Sequence, residues 1–281
     1  MQKLLLFLLP AVLILSSCNL FNNYGKKVKI GESEVFYKGD GVNEGNAEKA
    51  GNFLVKYKLI SKKKKSSVQV TNEENTYIVR LILDPKKLDE SVKLNMWKLQ
   101  DDLSQEVFGG KPARFAFTDE TFKDLEVLNP VNKIEVGKGS IYYDNSEFKK
   151  SEAKKLADFL QEKQYMSEEK EVDVFLSKEN DAPVVRLIVD KDKVEENKAA
   201  IMSTFSYWQS LIQDEVLNKK AKIILTTVEY EDFEKVPKLT TEQKEKFETQ
   251  TNNKNRQTTD QPAIDSVTTQ TSSGILRLPN Q

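Results

Sequence analysis

Apolar residues along this chain fall into three regimes. Leu4 to Leu15 is an almost unbroken apolar run, residues 28 to 236 carry apolar positions at short regular periods, and beyond Lys238 such positions become sparse. In the middle regime Val28 and Ile30, then Val35 and Tyr37, alternate on either side of Gly31, which predicts two short strands in a hairpin. Ala153, Leu156, Ala157 and Leu160 recur at the spacing of one helix face, and Ala47, Ala50, Gly51 and Leu54 form the same stripe earlier in the chain. Strands are predicted over 68–70 and 77–83, parted by the polar turn 72–75, with counterparts over 172–176 and 184–189. A second helix carries Met96, Leu99, Leu103 and Val107, and later Ile201, Phe205, Trp208, Ile212 and Val216. A last strand covers 114–118, and later 222–227.

The predicted elements thus occur twice, and the residues repeat with them. Residues 27–84 align without gaps on 133–190: Val79-Arg80-Leu81-Ile82-Leu83-Asp84 falls on Val185-Arg186-Leu187-Ile188-Val189-Asp190. A period this long makes each copy a whole domain rather than a solenoid unit. The unit reads ββαββαβ. Dropping its first short strand leaves βαββαβ, which resembles the split βαβ pattern of ferredoxin-like sandwiches. The expectation is an α+β protein of two tandem repeats, 27–130 and 131–238. Each would have two helices on one face of an antiparallel-rich sheet, and the two would pack as a pseudo-symmetric pair. Residues 239–281, rich in Thr, Gln, Asn and Ser, read as a low-complexity disordered tail, with 240–250 able to extend a helix.

The first regime changes the setting. Lys3 precedes the apolar run, and Ser16-Ser17 precede Cys18, the sole cysteine. A membrane-spanning helix needs about 20 apolar residues, so the run is too short to span and reads as a secretory signal. Leu15-Ser16-Ser17-Cys18 resembles the lipobox of bacterial lipoproteins. That resemblance implies a signal peptide over 1–17, cleavage before Cys18, acylation of Cys18, and a lipidated tether over 18–26. Two or more acyl chains hold a protein stably on a membrane. The resemblance therefore implies a cell-envelope protein anchored through lipid (palmitate or a related acyl chain) on Cys18. Asn19 rather than aspartate follows the cysteine, favouring the outer over the inner membrane, with the facing open.

Composition then narrows the chemistry. The chain has no histidine, and 43 basic residues nearly balance 44 acidic ones. Without histidine or a free thiol there is no Ser-His or Cys-His pair and no ordinary zinc site. Phe108-Gly109-Gly110-Lys111-Pro112 fits no phosphate-binding loop and reads as a turn. No catalytic residue, metal or cofactor is expected, and the near-neutral balance and export disfavour nucleic acid. The most basic run, Lys62 to Lys65, reads as a solvated loop of copy one, and copy two does not share it. Arg80 and Arg186 are the repeated polar residues of interest. Each sits mid-strand, either in a structural ion pair or poised to bind an anionic group. The expected function is that of a non-enzymatic envelope lipoprotein presenting two duplicated domains to an envelope protein partner or as an accessory subunit. The alternative is capture of a small molecule, glycan or host component between the repeats.

Overall fold

The computed structural model describes residues 24–254. Cys18, the predicted signal peptide and residues 255–281 lie outside them. Repeat one runs β1 (Lys26–Ile30), β2 (Ser33–Lys38), α1 (Glu44–Lys56), β3 (Ser67–Glu73), β4 (Thr76–Ile82), α2 (Glu90–Phe108), β5 (Ala113–Thr118) and β6 (Asp124–Val127). Repeat two runs β7 (Val131–Val136), β8 (Gly139–Asp144), α3 (Lys150–Glu162), β9 (Asp173–Glu179), β10 (Ala182–Ile188), α4 (Lys191–Glu196), α5 (Lys198–Leu211), β11 (Lys222–Thr226) and β12 (Asp232–Lys235). The expected α+β tandem repeat is present, and a further edge strand closes each unit.

Strand order departs from the ferredoxin-like expectation. Each sheet has six strands in sequential order, β1-β2-β3-β4-β5-β6 and β12-β11-β10-β9-β8-β7. β2 pairs parallel with β3, and β4 with β5, so each helix joins adjacent strands rather than straddling an intervening one. The reason lies in the strand that the sequence reading drops. A ferredoxin-like sandwich needs its first strand in the centre, with a neighbour on either side. Here β1 hairpins onto β2 and occupies one of those flanks, and β6 does the same to β5.

Local chemistry fixes the elements. Asn43 and Asn46 cap α1 reciprocally, at 3.0 and 3.2 Å. Asp89 caps the start of α2, and Gly109, at φ 63°, ends it. Gly31 and Gly137 turn the first hairpin of each repeat at φ 65° and 60°. A Cβ there would lie 2.4 Å from Lys62 O and 2.3 Å from Ser167 O. Positive φ and this close approach both exclude a side chain. Within α2, Gln100 Oε1 accepts from Phe115 N at 3.0 Å, and in α5 Gln209 Oε1 accepts from Ile223 N at 2.7 Å. These twin bonds put the second helices in register: Met96 corresponds to Phe205 and Leu99 to Trp208.

The two long helices of each repeat, α1 and α2 or α3 and α5, lie on one sheet face. In repeat one they cover Val35, Val68, Val79, Leu81 and Phe115; in repeat two, Ile141, Val174, Leu187, Ile223 and Leu225. The repeats do not form the expected pseudo-symmetric pair. Helix α2 also packs on the opposite, helix-free face of the second sheet, where Tyr142, Phe175, Ile188 and Tyr230 join the core of repeat one. The layers run sheet, helices, sheet, helices, and unlike surfaces meet. The cause is that α2 is apolar on two sides: Met96, Leu99 and Leu103 face its own sheet, while Leu94, also buried, lies outside that stripe.

Part of the predicted disordered tail is helical. Thr241–Lys254 forms α6. Thr240 and Gln243 cap it reciprocally, Phe247 stacks on Tyr207 of α5, and Lys244 pairs with Asp214. The Thr-x-x-Gln capping signal is legible in the sequence. The Phe247 stacking and the Lys244–Asp214 pair both tie it to repeat two.

Candidate functional site

Arg80 and Arg186 occupy the same place on the helix-free faces of the two sheets, each central in a strand and buried. A buried guanidinium must be paired, and both are. Arg80 donates to Asp124 through Nε and Nη2 at 2.7 and 2.9 Å, to Glu73 at 2.7 Å and to Thr71 at 2.6 Å. Arg186 donates to both oxygens of Asp232 at 3.1 Å, to Ser177 at 2.8 Å and to Glu179. The partners correspond one to one: Thr71 with Ser177, Glu73 with Glu179, Asp124 with Asp232. Each arginine therefore clamps the last hairpin of its sheet to the central one. Burial opposes the charge on Arg80, but Asp124 and Glu73 outweigh it and hold its pKa above the ordinary value.

The two faces differ in what lies over them. On repeat two, α2 brings a third carboxylate to the arginine: Glu90 sits 3.2 Å from Arg186 Nη2. Two turns on, Lys98 pairs with the buried Asp173 at 2.8 Å and approaches the Tyr230 hydroxyl at 3.4 Å. A turn further, Asp101 pairs with Lys133 at 3.0 Å. Glu90, Leu94, Lys98 and Asp101 thus form one stripe of α2, set at helical spacing. Burial pushes the Tyr142 and Tyr230 hydroxyls well above their ordinary pKa, and the neighbouring Asp173 adds to the effect. Both stay protonated.

On repeat one, Tyr24 lies over the corresponding face. Its ring meets Phe36 and Phe122 edge-on, with centroids 5.6 and 5.2 Å apart, and its carbonyl accepts from Gln69 at 3.0 Å. Tyr24 belongs to the predicted tether, 18–26, whose last residue, Lys26, already begins β1.

Sequence reasoning found both arginines and missed Glu90, Lys98 and Asp173. The available signal was Leu94 and Trp97, apolar residues off the main stripe of α2, which mark a helix buried on two sides. Between the repeats, where the alternative ligand site was expected, Tyr142, Phe175, Ile188 and Tyr230 pack against the core of repeat one. Beside them, also between the repeats, lies an open polar recess of about 520 Å³ lined by Asp101, Gln105, Lys133, Glu135 and Lys150. Among the described residues no acidic cluster is arranged to hold a metal ion. None of the described helices is long and apolar enough to cross a membrane.

These features define a tandem α+β repeat protein in which one unit seats a helix of the other. Residues 27–129 and again 133–238 match the family model AF_1994_N, described as a family N-terminal domain. The chain belongs to that family and carries this domain twice. No curated protein and no solved structure matches it significantly.

Proposed function

We propose that this protein is a membrane-anchored envelope lipoprotein, held by lipid on Cys18, whose repeats bind an envelope protein partner as a non-enzymatic accessory subunit. The anchor rests on the residues leading to Cys18. The binding role rests on one observation: the helix-free face of repeat two seats an amphipathic helix, with Arg186 meeting Glu90 and Asp173 meeting Lys98. A repeat of this family is thus built to receive a helix. Repeat one has the corresponding arginine and acid pair, and across its face the half-buried Tyr24 packs on the buried Phe36 and Phe122. The occupant that fits is an amphipathic helix with an acidic residue placed to reach the arginine cluster. Aromatic anchors of this kind carry much of the energy of protein interfaces.

The test is site-specific photocrosslinking in the native bacterium, with the crosslinker at Tyr24 and, as control, at the exposed Leu125. The expected result is one saturable adduct with an envelope protein from position 24 alone, competed by excess purified Cys18→Ala chain. Intact mass should show acyl groups on the wild type, and Cys18→Ala should leave the membrane. Equal adducts from both positions, or none, would remove the partner reading. An unmodified soluble wild type would remove the anchor.

A further inference from the structure

Repeat one contains a cavity of about 640 Å³ between the end of β4, the loop from α1 to β3, and α2. Leu59, Ile60, Leu83, Met96 and Phe117 form its apolar wall. Its size lies within the range of small-molecule sites, about 300–1,000 Å³. In repeat two the corresponding place holds side chains. The backbones agree closely: Leu59 N donates to Leu54 O at 2.8 Å, and Tyr165 N to Leu160 O at 3.0 Å. From that shared position the fully buried Tyr165 sends its hydroxyl to Ile188 O at 2.8 Å. Ile82, the counterpart of Ile188, lines the cavity of repeat one. Phe205 and Val172 are likewise buried where repeat one has Met96 and Ser66. Three smaller side chains therefore open one and the same space.

Charge changes with the space. Lys62, Lys63 and Lys65 correspond to Glu168, Glu169 and Glu171, so three positions of the loop from α1 to β3 are basic in repeat one and acidic in repeat two. Lys65 and Lys87 stand at the rim, with Asp84 and Glu120 also lining the cavity. Asp84 is engaged by Lys86 N at 3.0 Å.

We propose that this cavity binds a small phenolic acid. Tyr165 is the internal template for the occupant: an aromatic ring in the apolar interior, with a hydroxyl donating to the carbonyl at the end of the strand. The lysine rim supplies what Tyr165 does not need, a partner for an anionic substituent pointing outward. The space is open to solvent at its polar rim, and a ring of this type would cover the apolar wall and displace water from it. This site is independent of the partner-binding face on the other side of the sheet.

The experiment uses the Cys18→Ala chain in detergent-free buffer, titrated calorimetrically with 4-hydroxyphenylacetate. Saturable binding is expected. Phenylacetate, lacking the hydroxyl, and 4-hydroxyphenethyl alcohol, lacking the charge, should each bind about tenfold more weakly, the effect of one lost hydrogen bond or ion contact. Leu59→Tyr, which installs the side chain of repeat two, should abolish binding with an unchanged or higher melting temperature. If that variant fails to fold, Met96→Phe fills the same cavity from α2 and serves in its place. No saturable binding of the phenolic acid overturns the proposal, as does full binding by a folded filled variant. Equal affinity for either analogue overturns the assigned ligand class.

Discussion

In repeat two Trp208 meets Phe159, Tyr165 and Phe205 edge-on, with centroids 6.1, 6.2 and 5.3 Å apart. In repeat one the corresponding residues are Leu99, Phe53, Leu59 and Met96. The hairpin glycines, the helix glutamines and the arginine clamps are shared, so the backbone does not depend on this aromatic cluster. The difference teaches that the duplicated frame is held by turns, caps and polar clamps, while its interior was left to diverge. Aromatic pairs add about 0.5–1.5 kcal/mol each beyond the area they bury. Repeat two, with α2 seated on its second face and its aromatic core filled, should be the more stable of the pair. Repeat one is the adaptable one.

The sharpest way to break this comparison is through the two arginines. Arg186 retains 1% of its side-chain exposure and holds three acids, Glu179, Asp232 and Glu90. Arg186→Ala leaves those acids facing one another in a partly buried site. It should destabilise the protein by about 3–5 kcal/mol, the cost of breaking a buried ionic cluster. Arg80→Ala should cost less, because Glu73 is 56% exposed and water can solvate it once the arginine is gone. Chemical denaturation of the two variants side by side measures the difference. Equal losses would mean that the docked helix adds nothing to the second clamp.

Interior packing gives the next largest effect. Tyr165→Leu should open in repeat two the space that repeat one already has, at about 2–4 kcal/mol for lost contacts and the cavity left behind. Leu59→Tyr performs the reverse exchange and should be neutral or stabilising, since Ile82 is positioned as Ile188 is. Melting curves of both variants decide it. A destabilising Leu59→Tyr would show that the cavity walls have relaxed into a shape of their own.

These two contrasts also mark what was legible in the sequence. The repeat, its element order and both arginines could be read directly, because strand alternation, helical stripes and matched strings are local signals. Strand order could not, since it depends on which flank of β2 the short strand β1 occupies, a choice made in space. The seating of α2 on the second sheet was half legible: Leu94 and Trp97 announce a second buried side, but nothing local names Tyr142 or Phe175 as its partner. The cavity was hidden for a related reason. Leu59 and Tyr165 are both acceptable core residues, and only their shared backbone shows that one fills what the other leaves open.

A smaller effect tests whether the repeats co-adapted residue by residue. A Cβ on Gly51 of α1 would lie 2.6 Å from Ile30 Cγ1 and 2.9 Å from Val35 Cγ2. Repeat two has Ala157 at this position, with the shorter Val136 in place of Ile30. Gly51→Ala alone should destabilise by about 1 kcal/mol, overpacking outweighing the helix propensity gained. Combined with Ile30→Val it should regain wild-type stability or exceed it. Simple additivity of the two changes would deny the coupling.

The smallest effect separates the two ionic links between the repeats. Burial raises the pKa of Glu90 above its ordinary value, although Arg186 and Lys93 pull against it. For an acid whose folded pKa is raised, the protonated form is favoured by folding. Its stabilising contribution is present in acid and lost as pH rises through that raised pKa. Lys98 behaves differently. Burial opposes its charge, but the charge and hydrogen bond of Asp173 prevail and raise its pKa. Its contribution is complete below about pH 10.4, the ordinary lysine value, and fades only in stronger alkali. At neutral pH the Lys98–Asp173 link should therefore hold the junction, while Glu90 is close to neutral in effect. Glu90→Gln should change stability by less than about 1 kcal/mol at pH 7, since its side chain is 41% exposed. It should also flatten the gain seen in the wild type as pH falls toward about 4, the usual glutamate range. Lys98→Gln should cost more at every pH up to the alkaline limit. Urea midpoints of both variants across that range measure this directly, and a Glu90→Gln loss at pH 7 as large as that of Lys98→Gln would reverse the assignment.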